Sequence, residues 1–332
     1  MFRIQFSVCG QKKCRRKLTE YGSLKTEHVF LQDGRLWRRF LPLALLLALA
    51  LRLPGLFANR FFADEALFAT WARLIATWRD PLLLTQAVDK PPLAVYLQAL
   101  AYPMQGPVEW AARLPNFAAS LLLLPLTALL AWRLYRSPLA AAAAAGCVAL
   151  SPYAIQFAPT AFLDPLLTTW LAAAAVAMTG RRPAAAGALL GLALLTKYQA
   201  LLFVPLLFAL ACWQGWERRA WRRALAGTAV PLAALLAWSA ARGGGFGLWT
   251  AQMRNYGGLR LAWSWELWPR AQAWLALWPP LLGHWLLALA FAAGLGWLLR
   301  RAWRRLDAEP AAGVDLLLIL FLLGYQAAHW LL

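Results

Sequence analysis

The sequence predicts an all-α, polytopic integral membrane protein, with about nine transmembrane helices and two interfacial helices in the first outer loop. Three observations support this fold class. The chain of 332 residues is 62% hydrophobic and has a mean hydropathy of +0.54. Its apolar runs repeatedly reach roughly 17–25 residues, the length that crosses about 30 Å of hydrocarbon as a helix. The runs consist mainly of Leu, Ala and Trp without polar–apolar alternation, so helices are favoured over a closed barrel.

Residues 1–39 precede the first apolar run and are polar, with ten Lys or Arg residues and three acids. No apolar segment of about 7–15 residues follows a short basic start, which argues against a cleavable signal peptide. We therefore expect a disordered, basic cytoplasmic tail, with a translation start placed too far upstream as the alternative. Cys9 and Cys14 lie in this tail without a second cysteine pair or a histidine set, which disfavours a zinc site.

Residues 40–332 are expected to form one transmembrane module. Its first span covers 41–57, and Arg52 near the end of this span is expected to extend its charged group to the interface. The other spans are predicted at 114–132, 138–157, 161–179, 184–196, 199–213, 222–241, 272–299 and 313–331. The run 272–299 is long and contains two consecutive prolines and a glycine, so a kink or a re-entrant start is predicted there.

The segment 58–112 lies between the first two spans and is predicted to be an outer loop. It contains two short amphipathic helices, the first beginning beside Asp64 and the second running from about Pro91 to Met104. Both are short for a span, so we expect them to lie in the interface plane. Five of the 14 acidic residues fall between residues 61 and 113. Ionisable groups beside a membrane span are functional candidates, because they are costly to place there.

The basic residues orient the predicted helices. The net charge is +19, but the charges form short clusters between apolar runs, which indicates topology rather than a nucleic-acid partner. With the N-terminus in the cytoplasm, twelve arginines lie in dense inner loops and ten basic residues lie outside. The inner set is Arg133, Arg136, Arg181, Arg182, Arg218, Arg219, Arg222, Arg223, Arg300, Arg301, Arg304 and Arg305. This orientation places the loop 58–112, Asp164 and Lys197 on the outer face of a multi-pass inner (plasma) membrane protein.

Asp64 and Glu65 stand where the first outer loop turns into a helix. A carboxylate at this position can cap the helix N-terminus, which contributes about 1 kcal/mol. The functional interpretation is a general base or a metal ligand near the membrane surface. Two adjacent acids after an aromatic pair are more specific than one, but the sequence leaves both interpretations open.

Asp89 and Lys90 directly precede Pro91, a residue type suited to the first turn of a helix. An ordinary helix start with a surface ion pair is one interpretation. The other is that Lys90 holds a phosphate group at the N-terminus of the helix.

Four further candidates lie outside this pair of motifs. Asp164 is at the outer end of an apolar helix, where it either caps the helix or meets a cationic partner. Lys197 has the same placement in another hairpin and either extends its amine to the interface or binds substrate. Arg113 opens the second span, and Arg254 lies in the outer loop 242–270. Either arginine could bind an anion through two hydrogen bonds.

The order of these motifs resembles a known family. Asp64-Glu65 follows the first span, Lys90-Pro91-Pro92 and Arg113-Leu114-Pro115 follow in the outer loop and second span, and an Asp-Pro and a Thr-Lys come later. Over about residues 36–300 the chain is similar to bacterial GT-C glycosyltransferases of the protein O-mannosyltransferase and aminoarabinose transferase type (glycosyltransferase family 39 and relatives). Such proteins usually have further spans, so a C-terminal truncation is expected.

The resemblance implies transfer of a sugar, hexosyl or pentosyl, from a polyprenyl-phosphate donor to a lipid, glycan or protein acceptor on the outer face. By this resemblance the active site lies in the loop 58–112, where Asp64 matches the catalytic aspartate. Lys90 matches the lysine near the lipid phosphate, and Asp164 matches a second acid. Metal dependence varies in the family, so a divalent metal stays open as a cofactor.

The residues fit this chemistry. A departing lipid phosphate needs cations, for which Lys90 with Arg254 or Lys197 are candidates, and Asp64 could take the acceptor proton. No catalytic triad, P-loop or dinucleotide fingerprint occurs, so nothing in the sequence indicates ATP. The alternative function is a transporter or flippase of a polyprenyl-linked or anionic substrate, which should show inverted repeats and broken helices at the midplane. A non-catalytic scaffold left by truncation is the third interpretation.

Overall fold

The computed structural model describes residues 26–58, 60–102, 108–243, 251, 260–305 and 310–331, and the regular secondary structure in these ranges is helical, without strands. The helices before residue 200 are α1 (Thr26–Ala58), α2 (Ala63–Ala76), α3 (Leu93–Ala101), α4 (Glu109–Tyr135), α5 (Pro138–Leu150), α6 (Pro152–Phe157), α7 (Asp164–Thr179) and α8 (Pro183–Thr196). A 3-10 helix (Tyr198–Phe203), α9 (Val204–Trp213), α10 (Arg218–Ala241), α11 (Ser264–Leu282), α12 (Trp285–Arg305) and α13 (Pro310–Leu331) follow. The predicted all-α class is confirmed.

Five helices in the described part of the chain are long and apolar enough to cross a membrane. They lie at Phe40–Phe57, Glu109–Tyr135, Arg218–Ala241, Trp285–Arg305 and Ala311–Leu331. Three shorter apolar helices lie at Pro138–Leu150, Pro183–Thr196 and Tyr198–Trp213. The multi-pass membrane character is therefore confirmed, while the count of nine spans stays a prediction.

The span predicted at 138–157 is interrupted at Ser151. Helix α5 ends at Leu150, and the Ser151 hydroxyl oxygen caps α6 by accepting a hydrogen bond from the N–H of Ala154 at 3.3 Å. Arg52 is fully buried and donates to the carbonyl oxygens of Val148 at 2.8 Å and Ala149 at 3.0 Å. The expectation that Arg52 reaches the interface is wrong, because it instead satisfies carbonyls that a helix end leaves without intrahelical donors.

The long run predicted at 272–299 is divided at Gly283. Helix α11 ends at Leu282 and α12 begins at Trp285. Gly283 has a φ of 91°, a conformation that a residue without Cβ adopts at little cost. The observed break agrees with the kink that the glycine and the two prolines predict.

Helices α8 and α10 approach each other closely through small residues. A Cβ on Gly187 of α8 would collide with the carbonyl oxygen of Ala224, and one on Gly227 of α10 would collide with that of Ala184. The Thr228 hydroxyl donates to the carbonyl oxygen of Gly187 at 3.0 Å. Such small-residue contacts are a common basis for helix association in membranes.

The two helices of the first outer loop pack on this bundle. Trp71 of α2 and Val95 of α3 are almost fully buried in a cluster that also contains Leu163, Leu195 and Leu235 from the bundle. Helices α2 and α3 have 14 and 9 residues, too few to cross a membrane. The packing fixes the start of α2, and with it Asp64 and Glu65, against the ends of the other helices; their interfacial placement stays a prediction.

Candidate functional site

Glu65 is held by three groups at the start of α2, and the residue is only 4% exposed. Its Oε2 accepts a hydrogen bond from the backbone N–H of Phe62 at 3.0 Å, which caps the helix. Its Oε1 accepts from the N–H of Ala161 at 2.8 Å and lies 3.5 Å from the Nε of Arg113. Glu65 therefore links α2 to α4 and to the segment that precedes α7.

Asp64 is adjacent to Glu65 in the first turn of α2 but has different surroundings. Its side chain is exposed, and it makes no hydrogen bond or ion pair with any residue that the structure describes. A carboxylate without partners keeps its oxygen lone pairs available for a proton or a cation. The two acids of the motif are thus separated by their environments: Glu65 is engaged inside the protein and Asp64 faces outward.

Arg113 is an internal residue. It is 1% exposed, its guanidinium lies 4.8 Å from the centre of the Phe61 ring, and its Nη1 donates to the carbonyl oxygen of Leu56 at 3.4 Å. With Glu65 as its ionic partner, this side chain ties the end of α1 and the start of α2 to α4. Its geometry is that of a buried ion pair rather than of an exposed anion-binding arginine.

The segment 159–162, which leads into α7, is fastened by buried polar side chains from three helices. Gln98 of α3 donates to the carbonyl oxygen of Ala161 at 2.8 Å, and Asn116 of α4 donates to that of Thr160 at 2.7 Å and to that of Phe162. Glu65 of α2 accepts a hydrogen bond from the N–H of Ala161 in the same segment. Gln98 and Asn116 are each 1% exposed. These contacts fix the entry into α7, whose first residue, Asp164, lies two positions after the segment.

Asp164 and Lys197 form an ion pair, with Nζ of Lys197 2.7 Å from Oδ1 of Asp164. Asp164 occupies the first turn of α7, and Lys197 follows the last turn of α8. The Asp164 side chain is 45% exposed, so the ion pair lies at the protein surface. The structure thus brings together two candidates that the sequence placed in separate hairpins.

Asp89 and Lys90 also form an ion pair, with 2.7 Å between Oδ2 and Nζ. The side chains are 16% and 8% exposed, so this is a largely buried contact before α3 rather than the surface pair considered from sequence. The pair lies in the loop between α2 and α3. Its burial holds both groups in a defined orientation, which a solvated ion pair would lack.

Asp80 organises the same loop, although from sequence it was only one acid among five. It is buried and accepts hydrogen bonds from Leu84 N–H at 2.7 Å, Thr85 N–H at 2.9 Å and the Thr85 hydroxyl at 2.6 Å. Burial opposes its ionisation, but these bonds and the charge of Arg242 together lower the pKa of Asp80 below its usual value. The Asp-Pro pair at 80–81 is the turn signal that could have indicated this role.

An apolar groove of about 430 Å³ runs between α9 and α13. Its lining residues are Pro205, Leu206, Ala209, Gly313, Leu316, Leu317, Leu320 and Phe321. Such a surface suits a hydrocarbon chain, because apolar groups inside a membrane associate through van der Waals packing.

Two expectations from the sequence have no counterpart in the described residues: Arg254 as an anion-binding residue, and a divalent metal site. Arg254 lies outside the described residues. For the divalent metal, no group of three or more His, Cys, Asp or Glu side chains that could hold an ion occurs in the described part of the chain. The described residues therefore do not form a metal centre by themselves.

One family model matches part of the chain. The family model described as dolichyl-phosphate-mannose-protein mannosyltransferase matches residues 89–242. The matched segment runs from the Asp89–Lys90 pair through Arg113, Asp164 and Lys197 to the end of α10. The resemblance that the motifs indicate is therefore confirmed, and the family implies membrane glycosyltransferase activity with a lipid-linked donor. No significant match is found among curated proteins or among solved structures.

Proposed function

We propose, on the premise of the mannosyltransferase-family match over residues 89–242, that this protein transfers a sugar from a polyprenyl-phosphate donor to an acceptor on the outer face of the inner membrane. The acceptor is a lipid, a glycan or a protein, and the sugar is a hexose or a pentose. The observation that carries the proposal is the exposed Asp64 carboxylate, which lacks partners in the described part of the chain while the adjacent Glu65 is engaged.

Asp64 is the proposed general base. An acceptor hydroxyl or amine attacks the anomeric carbon of the donor, and its proton passes to Asp64. The bond between that carbon and the phosphate oxygen breaks, and its electron pair leaves with the lipid phosphate, so that the sugar is transferred with inversion. Glu65 and Arg113 position the start of α2 and take no part in the proton transfer.

The leaving phosphate gains negative charge and requires cations nearby. Lys90 and Lys197 are the proposed cations, each oriented by a carboxylate at 2.7 Å, from Asp89 and Asp164 respectively. An ammonium group has three N–H donors, so one ion pair does not exclude a phosphate oxygen. Arg254 is a further proposed phosphate ligand. The apolar groove between α9 and α13 is the proposed site of the polyprenyl chain.

A transfer assay tests this function. Membranes containing the protein are incubated with polyprenyl-phosphate donors carrying radiolabelled sugars, beginning with mannose, and label is followed into separated lipid, glycan and protein fractions. Asp64→Asn should lower the transfer rate by about 10²–10⁴-fold, because a positioned base contributes that much. Glu109→Gln is the matched control, since Glu109 is also an exposed acid in a helical first turn at the end of the same loop.

Two results would contradict the proposal. An equal loss of the transfer rate in Asp64→Asn and Glu109→Gln would show that Asp64 is not the general base. Movement of the intact donor across the membrane without cleavage of the sugar–phosphate bond would support the transporter interpretation instead.

A further inference from the structure

A second cavity, of about 580 Å³, lies beside the start of α2, and Glu65, the chain neighbour of the proposed base Asp64, is one of its lining residues. Its size falls within the roughly 300–1,000 Å³ that is usual for small-molecule sites. Its lining residues are Arg60, Phe62, Glu65, Arg113, Gln156, Phe157, Pro159, Thr160 and Phe162. Unlike the groove between α9 and α13, it combines aromatic rings with charged and polar side chains.

The side chains that line this cavity carry more positive than negative charge. Two arginines and one glutamate line it, which leaves an excess of one positive charge. Arg113 is paired with Glu65 inside the protein. Arg60 is exposed and has no hydrogen-bond or ionic partner among the residues that the structure describes. An arginine in this state can offer its planar set of N–H donors to a phosphate or a carboxylate.

The cavity wall is a row of aromatic rings. The rings of Phe62 and Phe162 lie 6.1 Å apart, and those of Phe162 and Phe157 lie 5.8 Å apart. Tyr153 stacks on Phe157 at 4.2 Å. The row thus extends from the start of α2 to Tyr153 in the first turn of α6. Aromatic faces carry partial negative charge and attract the polarised C–H groups of a sugar ring.

We propose that this cavity binds an anionic sugar group, with Arg60 holding the phosphate or carboxylate and Phe162 and Phe157 supporting the ring. The group is either the phosphorylated sugar of the donor or an acidic saccharide of the acceptor, since both present the same chemistry. The identification of the ligand as a substrate rests on the proposed function. The cavity, its excess positive charge and its aromatic wall are independent of that function.

Binding of soluble probes to the purified full chain in detergent tests the inference without requiring turnover. The probes are mannose 1-phosphate and uncharged mannose, measured by saturation-transfer difference NMR and titration calorimetry. Mannose 1-phosphate should bind about tenfold or more tightly than mannose, because a hydrogen bond to a charged group supplies roughly that factor. Arg60→Gln should abolish the preference and leave mannose binding unchanged, and Arg60→Lys should retain part of it.

Arg79→Gln is the matched control, because Arg79 is an exposed arginine near the end of α2 that does not line the cavity. This variant should keep the full preference. Phe162→Leu should weaken binding of both probes, because it removes the ring face but keeps an apolar side chain. Melting temperatures of all variants verify that each remains folded.

Equal affinity for the two probes, a preference that survives in Arg60→Gln, or no binding of either probe would overturn the inference. Sugar-free polyprenyl phosphate then separates the two sources. If polyprenyl phosphate competes with mannose 1-phosphate, the cavity belongs to the donor site. If the two bind simultaneously, the cavity belongs to the acceptor site. If sugar transfer fails while mannose 1-phosphate still binds preferentially, only the proposed function is rejected. If sugar transfer is normal but mannose 1-phosphate is not preferred over mannose, only the assignment of the cavity as an anionic-sugar site is rejected.

Discussion

At the scale of single residues, the two acids at the start of α2 have opposite environments. Glu65 is nearly buried and contacts two backbone N–H groups and a guanidinium, whereas Asp64 is exposed. Buried charges are tolerated only when they are paired and hydrogen-bonded, so the Glu65 environment indicates a structural requirement. We infer that changes at the two positions will have separable effects, on stability at Glu65 and on catalysis at Asp64.

Glu65→Gln should destabilise the protein by about 3–5 kcal/mol, because it leaves the buried guanidinium of Arg113 without its ionic partner. The measurement is the thermal unfolding midpoint of the purified protein in detergent. The double variant Glu65→Gln with Arg113→Gln should recover part of the loss, because it removes both charges. A loss of stability in the double variant that is larger than the sum of the losses in the two single variants would contradict a direct interaction between Glu65 and Arg113.

At the scale of elements, the segment before α7 connects the first outer loop to the second ion pair. Its backbone is held by Gln98, Asn116 and Glu65, which belong to three different helices. This arrangement makes the position of Asp164 depend on α2, α3 and α4 rather than on its own hairpin. A displacement of about 1 Å in such a segment can reduce an enzymatic rate by roughly a hundredfold.

Asn116→Leu should therefore lower the proposed transfer rate by about 10–100-fold, because the segment 159–162 loses two of its fixing hydrogen bonds. We expect the effect in kcat more than in KM for the donor, since catalytic groups are misplaced while the apolar groove is untouched. Thr127→Val in the same helix is the control, because among the described residues the Thr127 hydroxyl donates only to carbonyl oxygens of its own helix. Similar losses of kcat in both variants would refute the positioning role of Asn116.

The contact between α8 and α10 gives a second prediction at this scale. Gly187→Ala should destabilise the protein by about 1–3 kcal/mol, because the added methyl group meets the carbonyl oxygen of Ala224 and overpacks the contact. Gly294→Ala in α12 is the matched control, since its new Cβ would meet no atom within 4 Å. That change should be neutral or stabilising by about 0.5–1 kcal/mol. Thermal unfolding of both variants decides whether close packing, rather than helix propensity, requires Gly187.

At the scale of the whole molecule, the predicted topology assigns the candidate residues to one side of the membrane. Dense arginine clusters lie between apolar runs and are expected inside. Helix α7 begins at Asp164, which the topology places outside, and ends at Thr179 before the Arg181–Arg182 cluster, which it places inside. The inner-membrane location and the outward orientation are predictions that a labelling experiment can test.

Single cysteines at Thr77 and Arg181, introduced after removal of the four native cysteines, should respond differently to a membrane-impermeant maleimide. Both positions are exposed. Thr77→Cys should be labelled in intact spheroplasts, and Arg181→Cys only after the membrane is permeabilised. Labelling of both from the same side would show that the orientation, and with it the outward-facing site, is wrong.

The sequence by itself determined the helical membrane class, the resemblance to the mannosyltransferase family and the residues that are candidates for chemistry. These depend on local properties: the length and apolarity of each run, the charges between runs and the order of short motifs. The kink at Gly283 was predictable for the same reason, since prolines and glycine act on the backbone where they stand.

Only the tertiary structure decided which candidates have partners. Asp164 meets Lys197 from 33 residues away, Glu65 meets Arg113 and Ala161, and Arg52 caps α5 about 97 residues further along the chain. The sequence contains the charged residues but not the distances between them. A charged side chain in an apolar helix can either extend to the membrane interface or form hydrogen bonds inside the protein. Packing resolves that choice, because a buried ionisable group is stable only where the fold supplies its hydrogen bonds.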